Sequence, residues 1–365
     1  MNRVIGHIDF DYFYAQVEEV ENPTIKNRPV IVCVFSGRTE DSGVVSTSNY
    51  VARELGVKSG MPIVTAKKRL EGRDNNPVVI RMNLSKYESV SDRVMDLVRS
   101  RVDVVEQAGI DEAFFDLSHR CQYDFEKARE TAKEIKQAIK GKEHLTCSIG
   151  IGRSKVVAKL ASDSSKPDGL LVVPPVNTES FLNSSELTSL YGVGPKTAEG
   201  LRTLGIASIA DLARSEIATL ADTFGTKLAV YLHAAANGLD EDPVKENQFP
   251  TQFSRLITLK GNTTDPEEVV SQLTGAFEEL SAKLDSVNVA FKTLTAIAIL
   301  TDLSTKTRSR TFETPIASLA SVRNILLSLF AQLSESVDRE FRRVGVRVSD
   351  LSANQDQKSL AEFFV

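Results

Sequence analysis

The chain has 365 residues, 41% of them apolar and 25% charged, a size that calls for several domains and a composition that excludes a disordered or fibrous polypeptide. Its formal net charge of -5 argues against a uniformly basic nucleic-acid coat, but does not preclude basic grooves beside an acidic site. No apolar run approaches the roughly 18 residues of a membrane span, the first ten residues read as a strand rather than a signal peptide, and Cys33, Cys121 and Cys147 show neither metal-site nor disulfide spacing.

Val4 to Phe10 reads as a strand and Asp11 to Val20 as a helix with aromatics on its first turns. Pro29 to Phe35 is a second apolar strand, with Pro at its start where a missing N–H costs little. A polar loop over 36–43 and extended chain over Val44 to Thr47 lead to a helix capped by Thr47 or Ser48 and ending near Leu55. Helices are expected over Pro62 to Leu70 and Tyr87 to Arg101, then strands over Val104 to Ala108 and Ala113 to Leu117 that meet near Gly109-Ile110-Asp111-Glu112. A helix from Phe125 to Lys140, a strand from Thr146 to Gly152, a helix from Lys155 to Ser162 and a strand from Leu170 to Val173 complete an α+β sheet region with an insertion. Past Pro174-Pro175 come short helices with Gly-rich turns, then a polar linker over 237–249. Phe253 to Asp350 reads β-α-β-β-α-β, with one helix over Pro266 to Leu284 and another over Leu319 to Leu333.

Asp9 ends the first strand, and Asp111 and Glu112 are neighbours in the expected hairpin. Adjacent strand residues point to opposite faces, so both acids reach one site only if the chain turns or bulges there, which Gly109 permits. Three converging carboxylates repel one another unless divalent cations hold them ionised, and two such ions roughly 3.5–4 Å apart serve in-line nucleotidyl transfer. On spacing alone, surface acids capping a turn and a helix account for them better.

The wider wording points elsewhere. DFDYFYAQVEE (9–19), FSGRTEDSGVVSTSNYVAR (35–53), GIDEAFFD (109–116) and GIGRSKVVAKLASDSSKPDG (150–169) together resemble the Y-family translesion DNA polymerases, in the DNA polymerase IV branch. The resemblance runs across this whole region and continues weakly to the end of the chain. It implies an α+β right-hand polymerase: a ferredoxin-like palm (1–12 and 84–173), small fingers (13–83) and a helical thumb with a helix-hairpin-helix (174–238). A linker (239–250), a β-α-β-β-α-β little finger (251–351) and a tail (352–365) follow. It further implies that Asp9 and Asp111 bridge two Mg²⁺ ions, that Glu112 serves the primer-side ion, and that the Phe10 carbonyl completes the nucleotide-side ion. Asp11 and Asp116 fall outside that ligand set and read as capping or structural acids. Gly109 departs from the pattern, since several relatives carry Ser, and is expected to leave the ligands untouched.

Tyr14 matches the aromatic gate that occupies the space of a 2′-hydroxyl; without the resemblance it reads as a core aromatic beside Tyr12 and Phe13. Tyr50 and Arg53 share a helix face at i and i+3 and, with Thr47 and Lys166, match contacts to an incoming triphosphate. Lys155 and Lys159 are expected on the DNA backbone or in structural roles. The turn with Gly192, Gly194 and Lys196 matches a phosphate-gripping hairpin, although any tight helix–helix turn uses Gly-x-Gly. Arg308 and Arg310, alternating on one strand face, match little-finger DNA contacts, ahead of Arg342, Arg343 and Arg347.

In the tail, Gln357, Leu360, Phe363 and Phe364 resemble the peptide by which replication proteins bind a sliding clamp. The implied activity is template-directed addition of dNTPs to a primer 3′-hydroxyl, of low fidelity and able to pass damaged bases. Small or medium side chains near Val44 and Ser46 roof a roomy pocket, and no length remains for a proofreading exonuclease. The expected enzyme is a monomer that binds primer–template DNA and dNTP, without a membrane, in the cytoplasm with the nucleoid. Two rivals stand against it. A non-catalytic DNA-binding member of the fold would be expected to lack one of the three acids, and a nucleotide cyclase with a similar palm would need neither hairpin, little finger nor clamp peptide.

Overall fold

The structure, a computed structural model, describes residues 3–72, 76–246 and 250–354. These residues form two compact units, one drawn from 3–33, 45–61 and 65–246, the other from 34–44, 62–64 and 250–354.

From the N-terminus to residue 172 the elements run β1 (Ile5–Phe10), α1 (Phe13–Glu21), β2 (Val30–Phe35), β3 (Gly43–Ser48), α2 (Tyr50–Glu54), α3 (Ile63–Leu70), β4 (Val78–Arg81) and α4 (Leu84–Arg99). Then come β5 (Val104–Gln107), β6 (Glu112–Asp116), α5 (Phe125–Glu143), β7 (Cys147–Gly152), α6 (Lys155–Ser164) and β8 (Leu170–Val172). The main sheet has the order β5-β6-β1-β7-β8, with β8 parallel to β7 and the other pairs antiparallel. Its first four strands give the ferredoxin-like order expected of two β-α-β halves. The chain between β1 and β5 builds a small sheet of order β3-β2-β4.

Strand alternation divides β1 between two faces. Ile8 and Phe10 enter the core made with Val94 and Val98 of α4 and Ile135 and Ile139 of α5, while Ile5 packs with Phe114 and Ala158 of α6. Ile5, His7 and Asp9 therefore share the α6 side. Gly150 sets how close α6 lies, since a Cβ there would fall 2.1 Å from the Ala158 carbonyl oxygen.

Three local expectations need correction. The cap of α2 is Asn49, not Thr47 or Ser48: its side chain accepts from Ala52 N at 3.0 Å while its amide donates to Glu19 and to Arg28 O. Helix α4 starts at Leu84, three residues early, because Asn83 caps it. Strand β4 was not anticipated; a four-residue run is too short to declare itself, and its stability comes from parallel pairing with β2.

Beyond β8, α7 (Thr178–Asn183), α8 (Pro195–Thr203), α9 (Ile209–Arg214), α10 (Ile217–Phe224) and α11 (Thr226–Ala236) surround a core of Leu201, Ile209, Leu220 and Leu232. The expected linker is irregular over 240–246 but not loose. Arg3 donates to the carbonyls of Asp240 and Asp242, Lys245 N donates to Glu106 at 2.8 Å, and Val244 is buried with Ile5 and Phe114.

The second unit carries β9 (Gln252–Thr263), α12 (Pro266–Gln272), α13 (Thr274–Ser286), β10 (Val289–Leu300), β11 (Thr305–Ile316), α14 (Arg323–Glu335) and β12 (Phe341–Ala353). Its sheet has the antiparallel order β11-β10-β12-β9, cored by Leu259, Leu280, Leu294, Phe330 and Phe341. The single helix expected over 266–284 is two, parted at Leu273, and a 3₁₀ turn (Leu319–Val322) precedes α14. Within this unit Arg38 donates to Leu259 O at 2.6 Å and to Asn262 Oδ1 at 2.7 Å. No helix among the described residues is long and apolar enough to cross a membrane. Gln357, Leu360, Phe363 and Phe364 lie outside the described residues.

Candidate active site

Register places Asp9 directly opposite Glu112, so their side chains leave the sheet on one face. Asp111 reaches that side because the chain turns there. Ala108 N and Gly109 N both donate to Glu112 O at 3.1 Å, and Phe10 N donates to Asp111 O at 3.0 Å. Gly109 adjoins these acids: a Cβ on it would lie 3.2 Å from Glu112 Cγ and at ordinary contact, 3.4 Å, from Asp111 Oδ1.

Asp9, Phe10 and Asp111 line a cavity of about 370 Å³ together with Tyr14, Thr47, Tyr50, Arg53 and Lys166. Eight residues singled out from the sequence thus meet in one place. Glu112 lies just outside, its Oε2 2.6 Å from Lys159 Nζ and 3.4 Å from His7 Nε2. Tyr12, Ser46 and Ser59 also line the cavity. Ser59, in a loop, and Tyr12 were not anticipated as lining residues, and His7 gave no signal beyond being polar in an apolar strand.

Burial pushes the Asp9 carboxyl up to about 6, although Lys166 Nζ stands 2.6 Å from its Oδ1. Burial also raises Asp111. Glu112 goes the other way, to about 2, through the His7 and Lys159 contacts. Among the described residues no three His, Cys, Asp or Glu side chains are gathered closely enough to hold a metal ion as they stand. The ammonium groups of Lys166 and Lys159 sit on the carboxylate oxygens instead. Two buried acids that strain to stay ionised, Asp9 and Asp111, and a third, Glu112, held ionised by a lysine are oxygen donors that fit a hard divalent cation.

Other lining residues suit an anion. Tyr50 Oη is buried with no hydrogen-bond partner among the described residues, and Arg53 lies over the Tyr50 ring at 5.1 Å while its Nε donates to Ser48 O. Lys166 is placed by a tethered loop. Asp11, 1% exposed, accepts from Thr146 Oγ1 at 2.7 Å, Ser148 Oγ at 3.1 Å and Asp168 N at 2.9 Å, and Lys136 grips Asp168 Oδ1 at 2.7 Å. Asp11 is thus structural. Asp11→Ala strands three donors and is expected to lower unfolding stability by about 2–3 kcal/mol in a urea titration; an unchanged midpoint would show the loop is held by other means.

The Tyr14 ring stacks on Tyr87 at 4.4 Å and 17°, and Tyr87 Oη donates to Glu18 at 2.5 Å. In the helical segment, Gly192 has φ +89°, and a Cβ there would meet Tyr231 at 2.7 Å, so the turn requires glycine. Gly194 caps α8, with Pro195 and Lys196 opening the helix. Arg308 and Arg310 are exposed on the edge strand β11, opposite Ala296 and Leu294, hence on the face that carries the helices. Arg343 and Arg347 lie opposite Ile299 and Thr295, on the other face.

The impB/mucB/samB family matches residues 8–163 and its C-terminal domain residues 250–360, with a SAM-like helix-hairpin-helix tandem over 184–236. A DNA polymerase IV of Methanosarcina acetivorans is 41% identical over the full length of both chains, and that of Nitrosopumilus maritimus 39% identical over 99% of each. The chain belongs to the Y-family DNA polymerases, in the DNA polymerase IV branch. Among solved structures, a Y-family chimera, Dbh-Dpo4(243-245)-Dbh, covers 96% of this chain and all of its own at 36% identity, with a TM-score of 0.90. An insertion ternary complex of Dbh DNA polymerase covers the same shares at 35% identity and 0.71. This polymerase IV-type chain therefore has the Y-family fold, α+β with a C-terminal little-finger sheet, and DNA-directed DNA polymerase activity of the translesion class that depends on a divalent metal.

Proposed function

We propose that the cavity between Asp111 and Arg53 is where a dNTP meets a primer 3′-hydroxyl. The observation that carries this is the meeting of Asp9, Asp111, Tyr14, Tyr50, Arg53 and Lys166 on one wall-to-wall space of nucleotide size. Asp9, Asp111, Glu112 and the Phe10 carbonyl would hold two Mg²⁺ ions. When bound, such ions lower the pKa of a hydroxyl and neutralise charge on a transferring phosphoryl group. Tyr50, Arg53, Thr47 and Lys166 bind and orient the triphosphate, the Arg through planar paired donors and the Lys as a point charge. Lys166 and Lys159, resting on Asp9 and Glu112, keep those acids ionised until cations arrive. Tyr14 closes the sugar side of the space.

In this reading the main sheet with its helices is the palm (1–12 and 84–173), residues 13–83 the fingers, 174–238 the thumb and 251–351 the little finger, joined by the linker at 239–250. Backbone N–H groups at Gly192, Gly194 and Lys196 hold a DNA phosphate without reading sequence. Arg308 and Arg310 contribute edge charge to DNA, and Arg343 and Arg347 a second set from the opposite face. Ternary complexes of a relative support primer–template and nucleotide as partners. The enzyme works as a monomer in the cytoplasm with the nucleoid, at low fidelity and without proofreading.

Primer extension on a defined template, with Mg²⁺ and dNTPs, tests the whole reading, and a wild-type protein that adds no nucleotide overturns it. The tail, QDQKSLAEFFV (355–365), would dock Leu360, Phe363 and Phe364 in an apolar pocket of a sliding clamp, with Gln357 beside it. A Phe363→Ala, Phe364→Ala double variant is expected to lose clamp-stimulated product length while keeping unassisted extension at the wild-type rate. Equal stimulation of both proteins removes the clamp from the account.

A further inference from the structure

His7 is fully buried on β1, on the face that carries Asp9 and Glu112, and no step assigned above uses it. Its two ring nitrogens meet different groups. Nδ1 lies 2.6 Å from Ser162 Oγ, whereas Nε2 lies 3.4 Å from Glu112 Oε2, a charge contact without the alignment of a hydrogen bond that leaves this buried nitrogen unpartnered among the described residues. Phe114, with its ring centroid 4.6 Å away, closes one side of the imidazole and excludes water there. Proton counting decides how this ring is wired. Ser162 has one hydroxyl proton, and Lys159 O, 2.8 Å away, competes for it with Nδ1.

If the hydroxyl proton goes to Lys159 O, Nδ1 must carry the imidazole proton. Nε2 then turns a bare lone pair on a carboxylate oxygen inside a dry pocket, two acceptors face to face. If the hydroxyl proton goes to Nδ1, the imidazole proton sits on Nε2 and points at Glu112. Lys159 O gives up nothing obligatory, because a helix-interior carbonyl also accepts from its own helix. The second arrangement gives Nδ1 its donor and turns a proton, not a lone pair, from the otherwise unpartnered Nε2 towards Glu112.

We infer that His7 is a positioning residue for Glu112, with its Nε2–H directed at Oε2 across 3.4 Å and held in that tautomer by Ser162. Helix α6 then grips the carboxylate twice, through Lys159 directly and through Ser162 by way of His7. Both donors fall on Oε2, which fixes the rotation of the carboxylate and makes Oε1 the oxygen offered to a cation. A hydrogen-bonded carboxylate of this kind is oriented before its ligand arrives, and losing such a partner typically costs about 10- to 100-fold in activity or metal affinity.

The tautomer is readable without catalysis. In the full-length wild-type protein labelled with ¹⁵N-histidine, four histidines give ring-nitrogen correlations, and His7→Gln identifies those of His7. A protonated Nε2 is expected; a bare Nε2 overturns the inference. In single-nucleotide insertion, His7→Leu is expected to lower kcat roughly 10- to 100-fold with the dNTP KM within about threefold. His7→Gln, whose amide N–H reaches the same place, restores most of that loss. A His7→Leu protein with wild-type kcat also overturns the inference. It rests on the polymerase reading only for these rates: failure of the wild type to extend primers sinks that reading, whereas a bare Nε2 in a protein that does extend them sinks this one alone.

Discussion

Asp9→Asn is expected to cut the rate of nucleotide addition by roughly 10³-fold or more while making the metal-free protein more stable. The two effects share a cause. Losing one of the oxygen donors for the ions forfeits several kcal/mol of transition-state charge stabilisation, and each 1.4 kcal/mol is about tenfold in rate. The same carboxylate is a burden when no cation is bound. Its folded-state pKa stands at about 6, above the ordinary carboxylate value, because burial outweighs the Lys166 contact. Above that pH the folded protein carries an ionised group it disfavours relative to the unfolded chain, so stability is lost there and returns as the pH falls from about 6 towards 4. Asn removes the penalty, and Lys166 keeps Asp163 at 3.5 Å. A gain on the order of 2 kcal/mol or less at pH 7.5 in chelator follows, shrinking below pH 6. Saturating Mg²⁺ should reverse the order, stabilising the wild type and not the variant. The measurements are primer extension and thermal melts across pH. Wild-type extension by Asp9→Asn would remove Asp9 from the catalytic set.

How far the sequence could go is clear from individual residues. The need for a turn near Gly109 to bring Asp111 and Glu112 to one site was a matter of strand geometry that the hydrogen bonds to Glu112 O bear out, whereas the face on which Asp9 lies came only from its register opposite Glu112. The nucleotide-side residues were legible only through the family wording, because a helical Arg53 and a loop Lys166 are ordinarily solvated charges. What stayed hidden depends on partners distant in sequence. Asn49 outcompetes Thr47 and Ser48 as a cap because Glu19 and Arg28 O hold its amide. Which face carries Arg308 and Arg310 follows from their register with Ala296 and Leu294, and the identity of a cross-strand partner is not written in β11. Val244 looked like one more linker residue and is buried because Ile5, Phe114 and Ala158 offer it a site. His7 is the sharpest case, since burial and two directional neighbours give it meaning, and none of the three is local.

Tyr14→Ala is expected to raise incorporation of ribonucleotides relative to deoxyribonucleotides by roughly 10²-fold, with dNTP insertion itself changed far less. The argument starts from rigidity. A gate discriminates only if the blocking ring cannot step aside, and Tyr14 is braced by the stack on Tyr87 at 4.4 Å, with Tyr87 fixed through Glu18 and Glu18 paired with Lys86 at 2.6 Å. Phe13 packs against the ring at 5.7 Å, tilted by 48°. A hydroxyl added to the sugar must then displace a ring that two aromatic neighbours hold in place, or shift the sugar away from the acids. Tyr14→Phe keeps the stack and should keep the discrimination, which separates the ring's bulk from its hydroxyl. Loss of the stack in the Ala variant should cost on the order of 1 kcal/mol of stability beyond the area lost, too little to unfold the protein and mimic a loss of function. Competing insertion of one base as its ribo- and deoxyribotriphosphate, read as the ratio of kcat/KM values, is the decisive measurement. An unchanged ratio in Tyr14→Ala would return Tyr14 to the role of a core aromatic.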